Sequence, residues 1–547
     1  MFREFVTMAD EVAAIGGKLA KERIVADFLR GLSDDELPWA AVFLSGRVFP
    51  QYDERTVGIG WARIVEAVAS VSGAPRDEIE ARVHERGDLG EGVAPWLENR
   101  VSEGIALAEL GTALSEIAAT GGSNEKTELL VDLIRRLDAG EARYLAKILT
   151  GELRIGLREG LVESAIAKAF DRRLKAVREA NMLLSDIGET AIRAREDRLE
   201  DVEVRVFHPI GMMLAQPEED PERILAQLGP VVIADDKYDG IRAQIHWDGT
   251  RGKIYSRTLD DVGPRFPEVL KACAGLPPVI LDGEIVAWDE HVLPFARLQP
   301  RIGRRKLTPK LIQGTPVRYF AFDLIWLEGE TMLEVPLLER LTRMVEACDG
   351  AGATIVPGFQ RSIETAGELE AAFEASRARA NEGLVLKDPQ SIYTPGRRGR
   401  TWLKYKKALG TLDCVVTAAQ WGHGKRRNVL SDLTFAVRKD DALVNIGKAY
   451  SGLTDAEIEE TTKLFEETTI STHGPVHVVE PSVVLEIAFD RIQESKRHKS
   501  GYALRFPRIA RWRKDKSPDQ ISDIEEVRAI YESQLVREKP DGQVRTV

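Results

Sequence analysis

The chain is poor in cysteine and has no long apolar run. Its three cysteines, Cys273, Cys348 and Cys414, are odd in number and far apart among 547 residues. That pattern gives neither a disulfide framework nor a CxxC zinc pair, and it points to a reducing cytoplasm. No stretch approaches the roughly 20 apolar residues needed to cross a bilayer. The opening MFREFVTMADEVAAIGG carries Glu4, Asp10 and Glu11, which is not the composition of a secretory signal. Internal repeats and low-complexity tracts are missing, and there is no recognition-helix or zinc-finger pattern. Positive charge is also in deficit: the formal net charge of -12 argues against wholesale affinity for a polyanion.

Net charge is an average, however, and a polyanion feels local patches. RLQPRIGRRKLTPK (297–310) and GRRGRTWLKYKK (396–407) contain no acid, and HGKRRN and the segment from Arg491 to Lys516 are heavily basic. One such run is usually a solvated face. Several, interleaved with Trp402, Tyr405, Tyr502, Phe506 and Trp512, point to phosphate contact.

At roughly 150 residues per domain, the length suggests three or four units. The chain reads as a multidomain protein: an all-α N-terminal domain over 1–208, an α+β domain over 209–408 and a C-terminal β-barrel over 409–547. In the first, KERIVADFLRGL, ARIVEAVASV, KTELLVDLIRRL and VESAIAKAF place apolar residues three and four apart, as amphipathic helices do. Within it, LTGELRIGLREGLVESAIAKAF sets Gly156 and Gly160 between helical stretches. Amides exposed at such a helix start can hold a phosphate, and both glycines can equally be plain helix terminators. After His208, β-rich runs broken by turn residues take over (VVIADDKY, IRAQIHW, KIYSR, VILDGEIVAW, YFAFDLIWL, GLVLK). IRAQIHW alternates, with Ile241, Ala243, Ile245 and Trp247 on one face and Arg242, Gln244 and His246 on the other. These features predict an α+β unit built on antiparallel pairs. From Leu412, five short strands (in CVVTAAQWG, DLTFAVRK, ALVNIGKAY, VVLEIAFD and ALRFPRIARW) with one inserted helix, DAEIEETTKLFEET, predict a small Greek-key barrel, the OB-fold. The polar tail REKPDGQVRTV reads as frayed.

The stretch VVIADDKYDGIRAQIHW poses the chemical question. Lysine has an ordinary pKa of about 10.4 and is a poor nucleophile at neutral pH. With Asp235, Asp236 and Asp239 beside it in sequence, Lys237 can be a structural ion pair. Its company argues for more. SR at 256–257, LDGE at 281–284, FAFDLIW at 320–326, EGLVLK at 382–387, WLKYKK at 402–407 and RFPRIARWRKDK at 505–516 follow in order. Glu284 and Glu382 offer hard oxygen ligands suited to magnesium, with manganese also compatible. Arg242, Arg257, Lys387, Arg400, Lys404 and Lys406 supply cations for a triphosphate, and Phe322 supplies a flat face for a base. Together they describe a lysine that attacks a nucleoside triphosphate at its α-phosphate.

This set resembles the signature motifs of the covalent nucleotidyltransferases, most closely those of the ATP-dependent DNA ligases. KYDGIR is similar to the nucleophile motif, and LDGE, FDLIW, EGLVLK and WLKYKK to the motifs that follow it. RFPRIARWRKDK is similar to the last motif, on the barrel. The helical front half resembles the DNA-binding domain of the replicative-type enzymes, and GMMLAQP resembles the entry to the catalytic domain. The resemblance implies that Lys237 is adenylylated and that Asp235 contacts adenine. It implies that Arg242, Arg257, Glu284, Phe322, Arg400 and Lys406 surround ATP, that Lys387 and Lys404 touch its phosphates and that Glu284 and Glu382 hold the metal. Arg508, Arg511 and Lys516 would orient the leaving pyrophosphate. Two positions depart from the family pattern: Asp235 stands where glutamate is usual, which bears on the adenine contact, and Gly211 stands where proline is usual, a minor change.

The implied reaction seals nicks in duplex DNA with ATP and a divalent cation, as replication, repair and recombination require. The implied partners are nicked double-stranded DNA and, as a candidate, a sliding clamp, for a monomer with no membrane association. The competing readings are an RNA ligase or capping guanylyltransferase, an NAD-dependent ligase and a non-catalytic DNA-end scaffold. The long helical front and RFPRIARWRKDK argue against the first. The small number of cysteines argues against the four-cysteine zinc site of the second. The joint presence of Lys237, Glu284 and Glu382 argues against the third.

Overall fold

The computed structural model describes residues 1–304, 307–407, 410–422 and 426–537. Residues 305 and 306 of the first basic run, the expected domain junction at 408–409, 423–425 of HGKRRN and the tail from 538 lie outside the described residues.

Helices run from Phe2–Ala14 to Ile187–Arg195 and share one core that includes Phe2, Phe5, Phe43, Tyr144 and Leu145. Their ends follow local chemistry. The helix Ala139–Thr150 begins with an Asp138/Glu141 capping box and ends at Gly151 (φ 69°). The terminator in LTGELRIGLREG is therefore Gly151. Gly160 is the second residue of the next helix, Glu159–Ala169. Gly156 (φ 71°) takes a left-handed turn over Lys21, whose buried ammonium donates to the Ile155 carbonyl at 2.6 Å.

The central part holds β1 (Leu214–Pro217), β2 (Val232–Lys237), β3 (Ile241–Trp247), β4 (Gly252–Ser256), β5 (Val279–Asp289), β6 (His291–Val292), β7 (Val317–Leu327), β8 (Glu330–Thr331), β9 (Ile355–Pro357), β10 (Gln360–Ile363), β11 (Gly383–Lys387) and β12 (Arg398–Tyr405). One sheet has the order β1-β12-β11-β2-β10. The other has β4-β3-β5-β7-β8, with β6 on β5 and β9 on β7. The pairing is mixed: β1 joins β12 and β9 joins β7 in parallel, and the remaining pairs are antiparallel. The outer faces of the two sheets pack on helices, through Ile245, Leu281, Tyr319 and Met344 in one core and Ala234, Leu386, Leu403 and Phe373 in another. Their inner faces meet through Ile280, Ile325, Phe322, Val385 and Trp402.

The polar face of β3 is buried along with its apolar face, which alternation alone did not predict. Residues 204–213, which lead in from the helical part, cover it. The Phe207 amide donates to His246 Nδ1 (3.0 Å), and Gln244 exchanges two bonds with the Ile210 backbone (2.7 and 3.2 Å). Burial, helped by His208 and Lys253, lowers the His246 imidazole to about 3, so it is neutral here. Gly211 is more than a minor departure. A Cβ there would come within 2.5 Å of Met182 Sδ in the helical part and 3.0 Å of Gly396 Cα.

The C-terminal part holds β13 (Gly410–Trp421), β14 (Leu430–Lys439), β15 (Ala442–Ala449), β16 (Thr469–His473), β17 (Val476–Val479), β18 (Val484–Phe489), β19 (Arg491–Glu494), β20 (Tyr502–Arg505) and β21 (Arg508–Trp512), with the helix Asp455–Glu467 between β15 and β16. Long β13 pairs with β14, β17 and β18, and β18 pairs with β21, forming a curved half-barrel sheet beside the hairpin β19–β20. The strand count therefore exceeds the five expected, for physical reasons. ALRFPRIARW is split because Phe506 is left-handed (φ 52°) and Pro507 has no amide to give a ladder. The hairpin β16–β17, turning at Gly474 (φ 59°), is rich in Thr, Ser and His and carries little apolar alternation.

Candidate active site

Lys237 ends β2, and the turn 238–240 carries the chain into β3. Gly240 is needed in that turn, because a Cβ would lie 2.3 Å from the Ile285 carbonyl. Strand alternation then fills one cavity from seven strands, β1 bringing Leu214 and Ala215. β2 contributes Asp235 and Lys237, β3 Arg242, β5 Glu284, β7 Phe322, β11 Val385 and Lys387, and β12 Arg398, Trp402 and Lys404, while Arg257 enters just past β4. The cavity measures about 260 Å³.

Its electrostatics differ from what the sequence order suggests. None of the three neighbouring aspartates holds Lys237, because each has a cation of its own. Asp235 pairs with Lys387 (2.5 Å), Asp236 takes a two-pronged bond from Arg379 (2.7 and 2.8 Å), and Asp239 meets Arg505 (3.2 Å) and Arg491 (3.5 Å) of the C-terminal part. Lys237 Nζ instead donates to Glu382 Oε2 at 2.5 Å, a partner 145 residues away. Burial pushes the Glu382 carboxyl up, but the Lys237 ammonium, with Lys406 and Arg505, outweighs it and holds the group below the usual carboxylate value. For Glu284 the balance reverses. Burial raises its carboxyl to about 8, although Lys237 and Arg242 oppose the rise. Asp235 is likewise raised by burial against the pull of Lys387.

Several cations on the wall are unmatched. Arg257, Arg398 and Lys404 have no carboxylate partner among the described residues. Burial, and then the neighbouring Lys406, Lys237, Arg398 and Arg257, hold the Lys404 ammonium below the usual lysine value. A wall on which cations outnumber carboxylates suits an anion.

Of the residues expected from the sequence, Asp235, Lys237, Arg242, Arg257, Glu284, Phe322, Lys387 and Lys404 share this cavity, and Glu382 joins them through Lys237. Lys387 is spent on Asp235 and the Phe322 carbonyl (2.8 Å) and is only 1% exposed. Arg400 is exposed and not on the wall. Lys406 pairs with Asp490 of the C-terminal part (2.5 Å), which also takes Arg508 (2.7 Å). Arg511 pairs with Glu486 (2.5 Å) and Lys516 with Asp413 (2.5 Å). Trp402 and Arg398 went unassigned in the sequence. The signal for them was the period-two face they share with Lys404.

Family profiles match along the chain: one described as DNA ligase N terminus over residues 1–167, one as ATP dependent DNA ligase domain over 212–406 and one as ATP dependent DNA ligase C terminal region over 426–516. A probable DNA ligase of Koribacter versatilis is 42% identical over 96% of this chain and 96% of its own length. This chain belongs to the ATP-dependent DNA ligases. A DNA ligase of Archaeoglobus fulgidus is 33% identical over 98% of this chain and 99% of that one. A solved structure titled Pmar-Lig_PreS3, only 16% identical, shares the fold with a TM-score of 0.53 over 93% of this chain and 99% of that chain. The chain is thus a ligase enzyme that uses ATP, and no helix among its described residues is long and apolar enough to cross a membrane.

Proposed function

We propose that this ligase seals nicks in duplex DNA, with Lys237 as the nucleophile. The observation that carries this reading is the opening of Lys237 onto a cavity walled by the unmatched cations Arg257, Arg398 and Lys404. The Lys237 amine attacks the α-phosphorus of ATP. A P–N bond forms, the P–O bond to pyrophosphate breaks, and Glu382 Oε2 is the oxygen placed to hold the ammonium proton. An oxygen of the 5′-phosphate at the nick then attacks the AMP phosphorus, and Nζ leaves. The 3′-hydroxyl attacks the activated 5′-phosphate, and AMP departs. Arg257, Arg398 and Lys404 stabilise the charge on the phosphates at each stage. Arg242, Phe322 and Trp402 shape the pocket for the nucleoside, and Asp235 is the carboxylate available to its base.

Two carboxylates beside Lys237 suit a divalent cation such as magnesium, whose remaining ligands would be phosphate and water oxygens. Glu284 and Glu382 would hold it. It would neutralise phosphate charge, and its field would ionise the raised Glu284 carboxyl. We take 1–208, 209–408 and 409–547 as three units that close around DNA, in a monomeric cytoplasmic protein for which a sliding clamp remains a candidate partner. Affinity for DNA through phosphate contacts is steeply salt-dependent and indifferent to sequence.

The test is sealing of a nicked duplex supplied with ATP, GTP or NAD, by the wild type and by Lys237→Ala. Sealing with ATP alone, lost in the variant while DNA binding persists, is expected. Sealing by the variant, or a strong preference for particular flanking bases, overturns the reading.

A further inference from the structure

Tyr393 belongs to none of the motifs that mark the site, yet it is tied to one of the site's arginines. Its ring is 1% exposed, between Met213 of the entry segment and Asp282 of β5. The Met213 amide donates to Tyr393 Oη (3.1 Å), and Tyr393 Oη donates to Asp282 Oδ2 (2.7 Å). Asp282, fully buried, receives Arg242 through Nε on Oδ1 (3.1 Å) and Nη2 on Oδ2 (2.7 Å). The Arg242 guanidinium lies over the rings of Phe322 (5.3 Å) and Trp402 (6.0 Å), both on the cavity wall. Its plane is therefore fixed by two hydrogen bonds and two ring faces, and Nη1 makes no hydrogen bond among the described residues.

We infer that Tyr393 is a positioning residue for nucleotide binding, holding Asp282 so that Arg242 keeps its Nη1 turned to the bound nucleotide. The chemistry supports the chain of contacts. A buried carboxylate with one fork on Arg242 can still rotate about its Cα–Cβ and Cβ–Cγ bonds. A second donor on Oδ2 removes that freedom, and a preorganised fork loses less entropy when a ligand binds. The anchor is also shared between segments. Met213 lies two residues beyond Gly211, whose carbonyl accepts from the Gly396 amide (2.7 Å), so the tyrosine's own segment is tied to the entry segment at two points.

This inference rests on the proposed lysine adenylylation at the same site. The experiment compares full-length wild type, Tyr393→Phe, Arg242→Lys and the double variant with ATP and magnesium. ATP affinity is measured by calorimetry, together with KM and kcat for AMP labelling of the protein. Phenylalanine keeps the ring and removes only the hydroxyl, and thermal melting checks that the fold survives. Tyr393→Phe should raise KM and weaken ATP binding about tenfold while leaving kcat within about twofold. It should add nothing in the Arg242→Lys background, where the fork it orients is gone. Unchanged affinity, a loss confined to kcat, or a full tenfold loss in both backgrounds overturns the role of Tyr393. Failure of the wild type itself to take up AMP would instead overturn the adenylylation reading.

Discussion

The cavity at Lys237 and the barrel segment RFPRIARWRKDK both gather basic residues, and the fold treats them in opposite ways. On the barrel, Arg505, Arg508, Arg511, Arg513, Lys514 and Lys516 each find a carboxylate, on Asp239, Asp490, Glu486, Asp413, Glu460 and Asp413 respectively. In the cavity, the acids beside Lys237 are matched by distant cations while Arg257, Arg398 and Lys404 are left over. A run of basic residues therefore does not locate free positive charge. What locates it is the tertiary count of partners, which in this cavity leaves cations over on a partly buried wall.

The largest effect is expected at the buried pair of the cavity. Asp235→Ala leaves the Lys387 ammonium uncompensated at 1% exposure, and should lower stability by about 3–5 kcal/mol in denaturant unfolding. A next, smaller effect sharpens the unmatched side. Arg257→Ala and Lys404→Ala should each weaken ATP binding about tenfold, and together about a hundredfold, in calorimetric titration, with melting temperature little changed because neither breaks an ion pair. Loss of stability without loss of affinity would show that these cations are structural.

The third effect lies at the seam between the helical and central parts. The folded imidazole of His246 is lowered from its ordinary 6.5 to about 3, so between those values the unfolded chain binds a proton that the folded chain refuses. The stability it contributes is complete above 6.5 and is lost as pH falls toward 3. Between pH 7 and pH 5 the loss is about 2 kcal/mol. Denaturant unfolding at the two pH values, with His246→Gln as the flattened control, measures it. The smallest effect is on the barrel. Arg511 is 64% exposed, so Arg511→Ala should cost less than about 1 kcal/mol and leave ATP affinity unchanged.

Much of the site was legible because its residues lie in ordered motifs and on strands of period two. Asp235 and Lys237, or Trp402 and Lys404, must share a face once β2 and β12 are recognised. The partners were not legible. Nothing local says that Lys237 meets Glu382, that Lys387 is consumed by Asp235 or that Asp490 takes Lys406, because those pairs are made by sheet order and by the docking of the barrel. Arg400 shows the limit of motif reading: it shares the period of Arg398 and Trp402, but β12 is irregular against β1 between Arg398 and Leu403, and Arg400 is exposed and off the cavity wall. The helical part was legible in kind through its three- and four-residue spacing. The barrel was less so, because a left-handed Phe506 and a polar hairpin leave no clean alternation to read.

The most direct test follows the α-phosphate. The protein is incubated with ATP labelled at that phosphate and a divalent cation, digested, and its modified peptide mapped by mass. A single AMP adduct on Lys237, formed with release of pyrophosphate, is expected. An adduct on another residue, or label that persists in Lys237→Ala, would contradict it.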